Sequence, residues 1–246
     1  MQRYLHHRLS ILAACALVAA GAEAQDGRAA RLLAAEEPPL IVVTTAETPP
    51  YSFVDEATGE IVGIELEIVR AAAAKLGRRV EARRMKFEEL LPAVKSGEAD
   101  MASSGISITA PRKADVDFSI PYAYDGGMFL YRAGERMPTM VLAETMRVAV
   151  LEATTYDFYL CFHGIDPTRF RSFPAALKAL QANEVDAVFN DSSVVKTAVA
   201  ASGGTLAASR LETRENFGIA VRKGLNELKD ALNETIMQRI GGEARK

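Results

Sequence analysis

Two stretches of this chain repeat one another at a constant offset of 86 residues, from Phe87 to Phe173. Residues 87–102, FEELLPAVKSGEADMA, align with residues 173–188, FPAALKALQANEVDAV. Leu91 matches Leu177, Ala93 matches Ala179, Val94 matches Leu180, Glu98 matches Glu184 and Asp100 matches Asp186. At the stop of each helix-like segment Gly97 meets Asn183, the two residue types that best tolerate the left-handed end of a helix. Any helix–turn–strand unit shares some of these features. Identical spacing through helix, stop and strand predicts more: two similar α/β lobes, each built around one copy. Strands alternating with helices imply parallel sheets, which take ligands beyond the carboxyl ends of their strands. Carried past the strands, the offset sets Gly105 against Asp191 at that edge, one from each lobe.

The rest of the chain follows the same alternation. Leu40–Thr44 is a short β-branched strand, broken by Pro49-Pro50. Apolar residues then recur at Ile64, Ile68, Ala72 and Leu76, with Gly77 where a helix cap belongs. Val80–Arg84 is a second strand, and Phe87, Leu90, Leu91 and Val94 form the apolar face of the next helix.

Composition bounds what such a fold serves. Of 246 residues, 49% are hydrophobic and 25% charged, and the net charge is −3. Both signs are interspersed and no long basic stripe exists, so neither nucleic acid nor an anionic membrane surface is expected as a partner. Residues 1–24 read as a signal peptide: Arg3 and Arg8 precede an apolar run at residues 9–20, and Ala22-Glu23-Ala24 fits a cleavage signal. Leu12-Ala13-Ala14-Cys15 offers an alternative, a lipobox with Cys15 as the acylated residue. Cleavage after Ala24 leaves Cys161 alone, so the exported chain forms no internal disulfide and its core must hold the fold. His163 and Cys161 supply too few ligands for zinc, and no metal or other cofactor is expected. Residues 25–39 read as a linker.

The stretch SSGISITAPR, residues 103–112, ends one copy of the repeat in hydroxyls and bare peptide groups and then places a lone arginine. A guanidinium offers a planar fork of donors matched to a carboxylate; the alternative is a surface ion pair of Arg112 with Asp115 or Asp117. Thr109 and Pro111 fit the cap and first turn of a short helix.

These residues complete a pattern that resembles the periplasmic solute-binding proteins of polar amino-acid ABC transporters. Its motifs run in order from Thr48-Pro49-Pro50-Tyr51 through Gly63-Ile64-Glu65, Leu91-Pro92-Ala93, Gly105-Ile106-Ser107-Ile108-Thr109 with Arg112, Val116-Asp117-Phe118-Ser119, and Asp186-Ala187-Val188 with Asp191, to Phe217-Gly218-Ile219-Ala220-Val221-Arg222-Lys223-Gly224. The resemblance implies a two-lobe periplasmic-binding-protein-like α/β fold. Each lobe would be a mostly parallel sheet flanked by helices, and two crossover strands, near residues 125–130 and 215–219, would join them. Lobe 1 would span residues 40–127 and be completed by 217–246, with lobe 2 at 128–216.

By the same resemblance, a small zwitterionic ligand, above all an amino acid, is trapped between the lobes for a membrane permease, by a protein that works as a monomer. Arg112 would hold its carboxylate, with Thr154 and Thr155 donating from lobe 2. Gly105 and Ser107 would offer carbonyl, amide and hydroxyl groups. Asp191 would meet the ammonium, unless Lys196 answers it instead. Phe87 would pack over the ligand or serve as core. Two positions depart from the family pattern: Thr48 stands where an aromatic platform is usual, and Ala153 where the lobe 2 loop has glycine. Glu47 would favour a cationic ligand or stand solvated. Two other functions fit the same scaffold: an exported cyclohexadienyl dehydratase, with Glu152 or Asp191 as acid–base, and a ligand-sensing module for another exported protein.

Overall fold

Apolar residues at consecutive positions of a strand can all be buried only if the sheet is covered on both faces, and the LIVVT run asks for that. The structure, a computed structural model, describes residues 37–243; the expected leader, Cys15 and most of the expected linker lie outside them. The chain opens with strand β1 (Leu40–Thr44), then the short strands β2 (Glu47–Thr48), β3 (Ser52–Val54) and β4 (Ile61–Val62). Helix α1 (Ile64–Lys75), β5 (Val80–Arg84), helix α2 (Phe87–Ser96), β6 (Met101–Ala102), helix α3 (Ala110–Asp115) and β7 (Asp117–Phe118) follow. Then come β8 (Ala123–Asp125), β9 (Gly127–Arg132), α4 (Met140–Ala143), β10 (Val148–Leu151), α5 (Thr155–Phe162) and β11 (Thr168–Phe170). The last part holds α6 (Phe173–Gln181), β12 (Ala187–Asp191), α7 (Ser192–Ala201), β13 (Leu206–Ala208), β14 (Glu215–Phe217), β15 (Ala220–Val221) and α8 (Asn226–Glu243).

Among the described residues these strands make two five-stranded sheets, ordered β5-β1-β6-β15-β7 and β11-β10-β12-β9-β13. In each, the strand after the repeated helix pairs in parallel with an earlier strand: Val42 opposite Met101 in one, Val148 opposite Ala187 in the other. Antiparallel β15 and β9 then flank β6 and β12. Both sheets are covered on both faces. In β1, Val42 joins Leu66, Ile68 and Leu232 from α1 and α8, while Val43 joins Leu90 and Val94 from α2. In β12, Phe189 packs with Tyr156 and Leu160 of α5, and Val188 with Leu180 of α6 and Val195 of α7. The period of two along each strand sends neighbouring apolar residues to opposite layers.

The repeat has a physical basis that the alignment alone did not reveal. The Asp100 side chain accepts the Ile41 amide at 2.9 Å, and the Asp186 side chain accepts the Arg147 amide at 2.8 Å. Their own amides return the bond, Asp100 to Ile41 and Asp186 to Arg147. Each aspartate thereby fastens the foot of its strand to the neighbouring parallel strand, and an arginine takes the remaining oxygen: Arg222 in one case, Arg147 in the other. Gly97 at φ 86° and Asn183 at φ 61° both turn the chain through the left-handed conformation.

The sheets are joined by a ribbon of two antiparallel strands, β8 and β14, in which Asp125 lies directly opposite Glu215. Such an opposition of like charges is unfavourable unless other groups answer it. The donors that do so lie on both lobes and shape the site.

Losing either clamp strands a strand-foot amide. Asp100→Ala and Asp186→Ala are each expected to lower stability by about 1–3 kcal/mol in urea unfolding. Glu98→Ala and Glu184→Ala, at exposed matched positions, should leave the midpoint unchanged.

Candidate functional site

A cleft between the two sheets collects residues from many separate elements and loops. Phe87, Gly105, Ser107 and Arg112 line it from one side, Thr154, Thr155 and Asp191 from the other. It encloses about 40 Å³, with Thr45, Glu47, Thr48, Ser104, Tyr156 and Arg171 also at its walls. The seven residues that the resemblance implies for ligand binding therefore reach one space.

The Gly105 side begins with α1. Glu65, wholly buried at the start of that helix, accepts the Gly105 amide at 3.1 Å and the Tyr122 hydroxyl at 2.5 Å. Burial pushes this carboxyl up to about 7, against the pull of those two donors. Gly105 has φ +61°, and a Cβ there would lie 3.8 Å from Asp191 Oδ2 and 3.4 Å from the Phe217 ring. The two positions that the offset of 86 set opposite one another do face each other.

Arg112 sits in the first turn of α3, whose N-cap Thr109 accepts the Arg112 amide, with Pro111 in that first turn. Its guanidinium donates to the Ser107 carbonyl at 3.0 Å and lies 5.6 Å above the Phe87 ring centre. A surface ion pair does not form: Asp115 binds Lys95 and Asp117 binds Lys229. Burial lowers the guanidinium from its ordinary value, opposed by Glu215 and Asp191, and arginine keeps its charge throughout the physiological range. Phe87 does two jobs, packing on the core beside Leu90 and walling the cleft under Arg112.

Across the cleft, Thr154 is the N-cap of α5. Its hydroxyl accepts the Asp157 amide and donates to the Leu151 carbonyl, so it is engaged locally. The preceding Ala153 takes φ +62°, a conformation costing an alanine about 1–2 kcal/mol and a glycine little. Alanine thus takes here a conformation that the family-pattern glycine would adopt at little cost. Asp191 is 8% exposed, and its Oδ1 accepts the Tyr156 hydroxyl at 2.6 Å. Lys196 does not answer it; the ammonium lies 3.5 Å from Ser192 Oγ. Burial pushes the Asp191 carboxyl well above its ordinary value, and Asp125, Glu215 and Glu65 add to the shift against the Tyr156 hydrogen bond. A cleft with this charge asks for a cation.

Glu215 carries no signal of its own in the sequence, yet it touches both lobes. Its Oε2 accepts the Thr155 hydroxyl at 2.8 Å and the Ser107 hydroxyl, while those two hydroxyls lie 3.5 Å apart. Only the register that sets it opposite Asp125 on the ribbon could have found it. At the outer end, Thr45 and Thr48 each contact the Ser104 hydroxyl, at 2.7 and 3.1 Å. Thr48, which stands where the family pattern has an aromatic, thus belongs to a cluster of three hydroxyls. Glu47 is held by Arg84 at 3.1 Å, and Glu152 by Arg171 at 3.0 Å. Among the described residues no group of His, Cys, Asp and Glu is placed to hold a metal ion, and no helix is long and apolar enough to cross a membrane.

The profile of the bacterial extracellular solute-binding proteins, family 3, matches residues 40–241. The "probable histidine-binding protein" of Neisseria gonorrhoeae is 30% identical over 231 residues, covering 91% of this chain and 85% of that protein. The L-cystine-binding protein TcyJ of Escherichia coli K12 is 28% identical over 201 residues, 78% of this chain and 75% of its own. Among solved structures, the arginine-bound form of a truncated ArgBP from T. maritima superposes with a TM-score of 0.76 at 33% identity, over 81% of this chain and 95% of that one. The arginine-, lysine-, histidine-binding protein ArtJ of Geobacillus stearothermophilus gives 0.76 at 25% identity, over 83% and 90%.

Asp191 holds its proton more tightly in the folded protein than in the unfolded chain. Its contribution to stability is fully present below the ordinary aspartate value of about 3.9 and is lost as pH rises through the raised one. In the ligand-free protein Asp191→Asn should therefore gain roughly 1–3 kcal/mol at neutral pH, read as a higher melting temperature. The gain should vanish in acid.

Proposed function

The chain belongs to the bacterial extracellular solute-binding proteins, family 3, and from that premise we propose that it captures a free α-amino acid between its lobes for an ABC permease. The observation that carries this reading is one anion-binding and one cation-seeking group sharing a single buried cleft, Arg112 on one lobe and Asp191 on the other. Arg112 binds the ligand's carboxylate through its fork of donors, joined by the amides of Ser107, Thr154 and Thr155. The ammonium lies between Asp191 and the Gly105 carbonyl, and Phe87 packs on the ligand's flank. The hydroxyls of Thr45, Thr48 and Ser104 receive a polar side chain.

A ligand shifts lobe closure only through its greater affinity for the closed arrangement, and here each end of an amino acid needs groups from opposite lobes. The protein acts in the periplasm as a monomer, delivered by its N-terminal leader. Binding without turnover fits the site, since Glu152 is occupied by Arg171 and Asp191 by Tyr156. The named relatives are binding proteins.

Thermal-shift measurements against L-arginine, L-histidine, L-cystine, L-glutamine and L-leucine test the reading. At a hundred times its dissociation constant a bound amino acid adds about 2.7 kcal/mol, a rise of roughly 5–10 °C for a chain this size. At least one of the polar four should produce it and L-leucine should not. Arg112→Ala should remove the shift while the ligand-free melting temperature stays close to wild type. No shift with any of the five would sink the proposal.

A further inference from the structure

By its place in the chain Asp191 is the N-cap of α7, and aspartate there ordinarily accepts an amide of the first turn. It makes no such bond, because its carboxylate is turned toward Tyr156 and Gly105. The turn is capped from elsewhere. Asp125, on the ribbon strand β8, accepts the Ser193 amide on Oδ2 at 3.3 Å. Its Oδ1 takes the Ser192 hydroxyl and, at 3.1 Å, the Ser192 amide, which is shared with the Gly126 carbonyl at 2.8 Å. The Gly126 amide and the Tyr51 hydroxyl complete its shell at 2.8 and 3.1 Å. We infer that Asp125 is a positioning residue: it caps α7 in place of Asp191 and so leaves the Asp191 carboxylate free to face the cleft and a ligand cation.

The chemistry of the pair supports this division of labour. Burial alone would push the Asp125 carboxyl up, but bonds from Ser192, Ser193 and the Gly126 amide bring it below its ordinary value. The positive end of a helix favours an anion at that place. Asp191, facing Tyr156 of α5, Asp125 of β8, Glu215 of β14, Glu65 of α1 and Arg112 of α3, is driven the other way. Two carboxylates flank one helix terminus, and their surroundings favour the charged form of one and disfavour that of the other. Asp125 also ties the ribbon to both lobes, through Tyr51 on one and Ser192 on the other.

The role rests on the amino-acid reading of the cleft, but its first test needs no ligand. In ligand-free wild-type protein, the NMR shifts of the Ser192 and Ser193 amides should titrate below the ordinary aspartate range, with Asp125. In Asp125→Ala they should instead follow Asp191 as it swings back to cap its own helix, and a further Asp191→Asn should abolish that titration. In the second test, calorimetry with L-arginine and L-histidine, Asp125→Ala should weaken binding roughly tenfold, the loss expected for one charge-assisted contact. Asp125→Asn keeps an acceptor for the helix, so it should bind nearly as wild type does. Relieved of a neighbouring charge, its affinity should hold to lower pH. Amides that ignore Asp191 in Asp125→Ala, or a pH limb unmoved in Asp125→Asn, would overturn the assignment. Wild-type protein that binds none of the five amino acids of the thermal-shift series would count against the reading of the cleft, while the amide titration still decides the role of Asp125.

Discussion

A carboxylate removed from water needs a partner or a proton, and the centre of this molecule gathers four of them: Asp125, Asp191, Glu215 and Glu65. Their donors differ, and the differences organise the structure. Asp125 is saturated by a helix terminus, a loop amide and a tyrosine. Glu215 takes one hydroxyl from each lobe. Glu65 takes the Gly105 amide and a tyrosine. Asp191 has a single tyrosine and an open side. The charge left unanswered is the one that lies across the cleft from Arg112.

In the proposed binding role, that arrangement ties closure to chemistry. When Ser107 and Thr155 approach within 3.5 Å, both can reach Glu215; parted lobes could supply it with one hydroxyl at most. A polar contact of this kind contributes modestly in net terms, so it biases the lobes without locking them. In that proposed role, the larger difference between open and closed arrangements falls to whatever neutralises Asp191 and Arg112 together.

Much of the scaffold was legible in the sequence because local physics wrote it there. The strands β1 and β5 fall at Leu40–Thr44 and Val80–Arg84 as read from the sequence, and the repeated helices begin at Phe87 and Phe173 as the offset of 86 requires. Gly97 and Asn183 take the left-handed turn that their residue types permit. Arg112 and Asp191 were visible as charges beside strand ends, where small or apolar residues are usual. Glu215 was not, for a glutamate in a short strand has no period or spacing to mark it. Asp125 was hidden for the same reason, and the hydroxyl cluster of Thr45, Thr48 and Ser104 showed only as a missing aromatic.

Sequence alone determined the two lobes, the repeated helix–stop–strand unit with its paired aspartates, and the identity of the residues that end each strand at the cleft. These follow from periodicities and residue preferences acting over a few positions. Tertiary structure alone decided which carboxylate would be spent on a helix terminus and which left open. Asp191 stands at the cap position by sequence, and only the antiparallel register that sets Asp125 opposite Glu215 brings a second carboxylate, 66 residues earlier in the chain, to the same helix end. Capping is a matter of which oxygen arrives within hydrogen-bond reach, and chain order does not encode that distance.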